Sequence, residues 1–379
     1  MAAILNDQEV AEKVLQHIES KTTDTGDSIW REPVQNYISK SRFDTEINQV
    51  LRGNPNPFCP SAALPDAGSY IAREAAGTPI VVVRGNDLKV RAFRNACRHR
   101  GAQVATGTGC AKAFRCNYHG WTYRLDGSLQ HIPHEQGFPE LDKEQHGLVP
   151  VAAEEKSGLI FVSQDSNASF ADLEEIPALL NSKQQIFNID EYELDVNWKV
   201  FLESFLEGYH IKPAHKETFF PFGFDNLNLV ETFGRNSRIT FPFQRIAKLA
   251  DIVPSKRRVD GLLTYVYQLF PNVMIAVLSH HTTMVILEPL AVDKTRVITY
   301  SLTNGVLEGE EAFAKARNDA EFVSNQGNAE DIALAKSIQA SIHSGANEVF
   351  TFGLYEKLIG HFHQSLTDLL EGVNVVELK

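Results

Sequence analysis

Two short segments constrain this chain more than any other feature: Cys97-Arg98-His99 and, after a gap of sixteen residues, Cys116-Asn117-Tyr118-His119. Each supplies one thiolate and one imidazole, and each reads as the tip of a β-hairpin. Soft thiolates together with imidazoles suit zinc or an iron–sulfur cluster. A zinc finger places both cysteines before both histidines, whereas here the order is Cys-His and then Cys-His. With only four cysteines, a disulfide scaffold is excluded, and the remaining Cys59 and Cys110 are read as ordinary reduced thiols.

Charge narrows the class of partner. The chain of 379 residues carries 36 Lys and Arg against 48 Asp and Glu, a net charge of −12. Clustered cations are needed to hold phosphates, so neither nucleic acid nor an anionic membrane is expected as a partner. The longest apolar stretch, Tyr265 to Leu278, is interrupted by Gln268, Pro271 and Asn272 and falls short of the ~20 residues of a spanning helix. Met1 to Asp7 shows no basic region before an apolar core, so a cytoplasmic location is expected.

Periodicity divides the chain into three parts. Residues 1–50 read as a helical segment: Val10, Val14 and Ile18 recur at four-residue spacing behind a cap at Asp7, and a second helix is expected from about Val34 to Leu51. Residues 51–165 read as a small β-domain, with the run Ile80-Val81-Val82-Val83, alternation at Leu88, Val90 and Ala92, and a hairpin turn at Asp126-Gly127. Residues 166–379 mix strands between Gly261 and Thr303 with helices from about Glu308 onward, the pattern of an α+β domain with an antiparallel sheet.

A second constellation lies in that third part. A helix expected from Asp195 to Tyr209 carries Trp198, Phe201, Leu202, Phe205 and Tyr209 on one side, and Glu203, Glu207 and His210 as a polar stripe. His215 would lie ~140° from His210 on an unbroken helix, but Pro213 is expected to end the helix between them. Both imidazoles then converge. Two histidines with a carboxylate form the facial triad of non-haem Fe(II) oxygenases, although a His-x₄-His pair alone is as readily structural.

The flanks bring the two constellations together. Asn95-Ala96-Cys97-Arg98-His99-Arg100-Gly101 with Cys116-Asn117-Tyr118-His119-Gly120-Trp121 resembles the Rieske signature of ring-hydroxylating and related oxygenases. Asn197-Trp198-Lys199 with Glu207-Gly208-Tyr209-His210 and His215 resembles the catalytic helix of their large (alpha) subunits. Respiratory Rieske proteins usually add a disulfide cysteine to each motif, where this chain has Ala102 and Tyr118. The likeness spans nearly the whole chain.

That resemblance implies a Rieske β-domain followed by a helix-grip (START-like) catalytic domain. Cys97, His99, Cys116 and His119 would hold one [2Fe–2S] cluster per chain, and His210 and His215 one Fe(II). The third iron ligand is expected near a helix start in Ala329-Glu330-Asp331-Ile332, with Asp331 preferred over Glu330. Glu207 would link His210 to His119 of a neighbouring chain in a homotrimer, and His361 and His363 read as packing or interface residues. No Gly-x-Gly-x-x-Gly fingerprint is present, so a separate NAD(P)H-dependent reductase is implied, acting directly or through a ferredoxin.

The substrate reading is open between two classes. Most ring-hydroxylating members have Asp at the place of Glu207, whereas choline- and carnitine-type members carry Glu followed by Gly-Tyr-His; many members have Asn at the place of Ser204. Phe219, Phe220, Phe222, Phe224, Phe241 and Phe243 follow the histidine pair and suit an apolar cavity. The expected activity is hydroxylation of an aromatic or other largely apolar molecule, with mono- and dioxygenation both open. The alternative is oxidation of a quaternary ammonium compound, which aromatic faces also bind. Outside the oxygenases stand a Rieske electron carrier and a zinc-stabilised ligand-binding protein.

Overall fold

The computed structural model describes residues 4–181, 183–305 and 309–372. Met1 to Ala3, Glu308 and the 379 end of the third segment lie outside the described residues. The chain forms two units: Leu51–Lys183, and a discontinuous one made of Met1–Val50 with Gln184–Lys379. The first fifty residues thus belong to the C-terminal unit rather than standing as a segment of their own. The later boundary falls at Lys183, beyond the expected 165.

The Leu51–Lys183 unit is built on a seven-stranded antiparallel sheet. Its order is Asn56–Pro60, Leu159–Ser163, Pro150–Lys156, Val90–Arg94, Thr78–Arg84, Ser69–Ala75 and Gly107–Cys110. The β-branched run Ile80 to Val83 is wholly buried in a central strand, as its composition demands. A three-stranded sheet of Phe114–Arg115, Thr122–Tyr123 and Leu129–His131 turns at Asp126-Gly127. Val81, Val83, Phe93, Trp121, Tyr123, Leu125 and Ile132 share one core with Cys97 and Cys116.

The other unit contains a second seven-stranded antiparallel sheet. Its order is Ile186–Leu194, Lys294–Thr303, His281–Ala291, Val273–Val277, Leu263–Leu269, Asn236–Pro242 and Leu229–Phe233. Eight helices accompany it among the described residues: α1 Asp7–Ser20, α2 Gln35–Ile38, α3 Lys40–Thr45, α4 Trp198–Glu203, α5 Ile211–Ala214, α6 Glu310–Phe322, α7 Asn328–Ser341 and α8 Lys357–Leu370. Val266, Met274, Val285, Leu287 and Val297 of the sheet pack with Trp198 and Phe201 of α4, Ala335 of α7, and Leu358 and Phe362 of α8. None of the described helices is long and apolar enough to cross a membrane.

Three helix expectations need correction. Asn6, not Asp7, caps α1: its side chain accepts from Gln8 and Glu9, and Glu9 returns a bond to the Asn6 amide, a complete capping box. The expected Val34–Leu51 helix is broken at extended Ser39, whose hydroxyl caps α3, and it ends in a π-helical turn, Glu46–Leu51. The Asp195–Tyr209 helix is shorter still. It stops at Glu203, where the Ser204 hydroxyl donates to the Phe201 carbonyl at 2.9 Å and competes with the helical ladder. Pro213 lies inside α5, in a first turn whose amides need no helical partner.

Candidate metal centres

The two Cys-His segments fold into matching loops. In the first, the Cys97 amide donates to the Ala102 carbonyl and the Gly101 amide to the Cys97 carbonyl, both at 2.8 Å. In the second, the Cys116 amide donates to Trp121 (2.8 Å) and the Gly120 amide to Cys116 (2.9 Å). Gly101 and Gly120 stand at the same place in each loop with φ of 78° and 76°, a region that side chains with a Cβ resist. The loops bring His99 Nδ1 within 3.0 Å of His119 Nδ1. Cys97 and Cys116 are buried, whereas His119 is exposed.

Neighbours fix these groups. The Trp121 indole stacks on His99 with centroids 5.0 Å apart and planes 9° off parallel, and Tyr118 stacks on His119 at 3.7 Å. Tyr123 accepts the Arg98 amide at 2.9 Å and turns its hydroxyl to the Cys97 sulfur at 3.2 Å. Burial, with the charges of His119 and Arg100, holds His99 below its ordinary pKa, so the ring favours its neutral, ligating form. Two buried sulfurs and two imidazoles that meet through the same nitrogen fit a cluster with one cysteine-held and one histidine-held iron.

The second constellation converges from three places in the chain. His210 precedes α5, His215 follows it, and Asp331 lies in the first turn of α7. One ligand atom from each falls within 4.8 Å of the others. The His210 Nδ1 bonds Glu207 Oε1, and Glu207 Oε2 accepts the His210 amide at 3.0 Å. The His215 Nδ1 donates to Glu330 Oε2 at 2.8 Å, which also accepts the Thr218 hydroxyl at 2.6 Å. With each Nδ1 engaged by a carboxylate, each Nε2 is turned to Asp331 Oδ1, at 3.5 Å from His210 and 3.0 Å from His215.

That oxygen is buried without a well-formed hydrogen bond, the state of a ligand atom shaped for something else. Electrostatics agree. Burial opposes charge on all three groups, yet Asp331 and Glu207 push His210 up to about 10, Asp331 raises His215, and the two rings hold Asp331 below the usual carboxylate range. The site favours a cation, and two imidazoles with one carboxylate fit Fe(II).

Sequence reasoning left Asp331 and Glu330 as rivals for one place; the structure gives them different partners. It missed Thr218, Tyr123 and the carboxylate behind His215. The signal for Glu330 was available, since a ligating histidine usually gives its second nitrogen to a carboxylate. Of the expected pocket residues, Phe219 packs on His215 at 4.8 Å between centroids and meets Phe322 of α6 at 6.0 Å. Phe220 instead lies under Lys212, and Phe243 under Arg245. A π-helical turn, Val323–Gly327, joins α6 to α7. A Cβ on Gly327 would lie 1.9 Å from the Phe219 ring, so only glycine fits.

Comparisons with known proteins agree with both centres. Residues 54–143 match the Rieske [2Fe-2S] domain, and residues 187–372 match the ring hydroxylating alpha subunit (catalytic domain). The chain is 27% identical to the carnitine monooxygenase oxygenase subunit of Escherichia coli over 90% of this chain and 94% of that one. It is 25% identical to the chloroplastic choline monooxygenase of Arabidopsis thaliana over 86% and 80%. Its fold matches the crystal structure of a quaternary ammonium Rieske monooxygenase in complex with substrate L-carnitine, with TM-score 0.77, 24% identity and coverage of 90% and 95%.

Proposed function

The chain belongs to the Rieske non-haem iron oxygenases, as an alpha subunit with one [2Fe–2S] cluster and one mononuclear iron, and from that premise we propose that it oxidises a quaternary ammonium compound. The observation that carries this reading is the similarity, over most of the chain, to oxygenases named for carnitine and choline. It reverses the order expected from the sequence, where an aromatic substrate stood first. Two features suit a cationic substrate: the Phe219 ring beside His215, whose face attracts an ammonium group, and the acidic side chains Glu207, Glu330 and Asp331 around the histidine pair.

In this proposal Cys97, His99, Cys116 and His119 hold the cluster, and His210, His215 and Asp331 hold the iron. When bound, the iron supplies the site at which O₂ is activated with electrons passed on by the cluster. The protein's own part is orientation. Glu207 and Glu330 fix the tautomer and plane of the two imidazoles, and Phe219 with Phe322 screens His215 from water. The family works with a reductase, a small-molecule substrate and O₂. We assign Glu207 a further contact with His119 of a neighbouring chain, in a homotrimer served by an NAD(P)H-dependent reductase.

The test is reductase-driven O₂ uptake with L-carnitine, γ-butyrobetaine, choline and glycine betaine, beside naphthalene and benzoate. Substrate-dependent uptake with at least one ammonium compound, and a matching hydroxylated or amine-releasing product, is the expected result. Faster product formation from an arene than from every ammonium compound overturns the proposal.

A further inference from the structure

The carboxylates that face the histidine pair from α7 arrive on one long helical rod. From Glu310 to Ser341 the chain stays helical without a break, through α6, the π-helical turn Val323–Gly327 and α7. The rod carries Glu330 to His215, and Asp331 to His210 and His215. It is thinly packed. Of α6 only Ala316 is buried, and of α7 only Asp331 and Ala335. Alanine side chains bury little area and resist sliding or rolling of a helix only weakly, so polar ties have to set where the rod lies.

Asp319 of α6 supplies one such tie. Its Oδ2 accepts from His281 Nδ1 at 2.9 Å and from the His280 amide at 3.2 Å. Among the described residues, no other side chain of α6 is hydrogen-bonded to the sheet. Burial opposes the charge of Asp319, but the hydrogen bond and charge of His281, with the His280 amide, hold it below the usual carboxylate range. An ionised Asp319 places the His281 hydrogen on Nδ1. His281 opens the strand His281–Ala291 and is fully enclosed, with the Phe187 ring meeting it edge-on at 6.3 Å. Its Nε2 is buried without a partner. That empty nitrogen carries a desolvation cost, and the bond to Asp319 is the whole polar use of the ring.

Two continuous routes lead from Asp319 to the histidine pair and Asp331. Asp319 and Phe322, three positions apart, share a face of α6, with ~5–6 Å between their Cβ atoms. The Phe322 ring meets Phe219 at 6.0 Å, and Phe219 packs on His215 at 4.8 Å. Along the rod, Asp331 follows Asp319 by twelve residues, ~18 Å at the helical rise. Eight residues further on, Gln339 accepts the Asn197 amide at 2.8 Å. Asp331 therefore sits between two ties, one on each side. Metal–ligand distances hold to ~0.2 Å, so even a small slide of the rod changes what Asp331 offers an ion between His210 and His215.

We propose that His281 and Asp319 are positioning residues for the mononuclear iron: their bond fixes the rod along its axis and so sets the Asp331 carboxylate against the two histidine Nε2 atoms. Neither residue touches the metal or the substrate. The inference rests on His210, His215 and Asp331 as the iron ligands and is independent of the substrate.

Anaerobic Fe(II) titration of the cluster-loaded protein against a competing chelator tests it. An asparagine amide falls where His281 Nδ1 lies and a glutamine amide where Nε2 lies, so the two substitutions separate the bond from the bulk of the ring. His281→Gln and Asp319→Ala should each weaken Fe(II) binding about 10-fold, and His281→Asn should restore most of it. The double variant His281→Gln with Asp319→Ala should bind no more weakly than either alone, because the two share one interaction. Amide exchange in the iron-free protein should quicken across α6 and Val323–Gly327 in His281→Gln but not in His281→Asn. A role in packing alone predicts the reverse order, with the smaller asparagine the worse of the two, and that result overturns the proposal. Additive losses in the double variant overturn it as well. Wild-type affinity in His281→Gln, with binding weakened in Asp331→Asn, refutes the tie and leaves the ligand assignment standing. Wild-type affinity in Asp331→Asn refutes the ligand assignment and the tie together.

Discussion

Exchanging the charge of Glu330 and of Asp331, one at a time, separates the ligand from its support. Glu330 Oε2 accepts from His215 Nδ1 at 2.8 Å and from Thr218 at 2.6 Å, so it touches the far side of the ring from the metal position. Glu330→Gln keeps the volume and one acceptor oxygen while removing the charge that makes the imidazole more basic. Loss of such a partner costs roughly 10–100-fold in metal affinity, about 1.4–2.7 kcal/mol. Asp331 Oδ1 faces both Nε2 atoms, so Asp331→Asn removes a charged ligand and should exceed that range. Thr218→Val should act like Glu330→Gln but more weakly, because the carboxylate remains. The assay is anaerobic Fe(II) titration against a competing chelator, with the visible spectrum of the Rieske cluster as the control for an intact fold. Retained iron in Asp331→Asn with complete loss in Glu330→Gln, or wild-type affinity in both, refutes the reasoning.

Other outcomes follow from local contacts. Tyr123→Phe removes the hydroxyl 3.2 Å from the Cys97 sulfur and should lower the cluster potential, measured by redox titration, without releasing iron. Gly327→Ala drives a methyl group into the Phe219 ring, an overpacking worth about 1–3 kcal/mol; thermal unfolding should report the loss, and Fe(II) retention should fall because Phe219 rests on His215. Burial pushes the Cys59 thiol up to about 12 while Cys110 is exposed, so alkylation of the native holoprotein at pH 8 should label Cys110 and spare Cys59, read by peptide mass spectrometry.

Both metal centres were readable because their chemistry is local. Cys97 and His99, or His210 and His215, lie within five residues of each other, and spacing alone limits what they can hold. The β-branched run at Ile80 to Val83 likewise announced a buried strand. What escaped depended on distant partners. The choice between Glu330 and Asp331 turns on how α7 is rotated, and that follows from a π-helical turn seated against Phe219, about a hundred residues earlier in sequence. Helix α4 stops because the Ser204 hydroxyl finds a backbone carbonyl, an option periodicity does not weigh. The first fifty residues looked self-contained because their partners, Glu203 for Tyr37 and Asn228 for Thr23, follow by 166 and 205 positions.

The discontinuity of the catalytic unit has a consequence for how the protein is made. The strand Trp30–Pro33 pairs with Val349–Phe352, so the first of the two leaves the ribosome long before its partner. At roughly 5–20 residues per second, that interval is about 15–60 s. The β-domain between the two halves has its whole sequence available well before then. Its cysteine and histidine loops close on contacts internal to residues 51–183 and need nothing still to be translated. Meanwhile the leading segment carries an unpaired strand edge, a ready template for another chain. Chaperone capture of nascent chains should therefore concentrate on residues 1–50 and persist until the C-terminal helices have been synthesised.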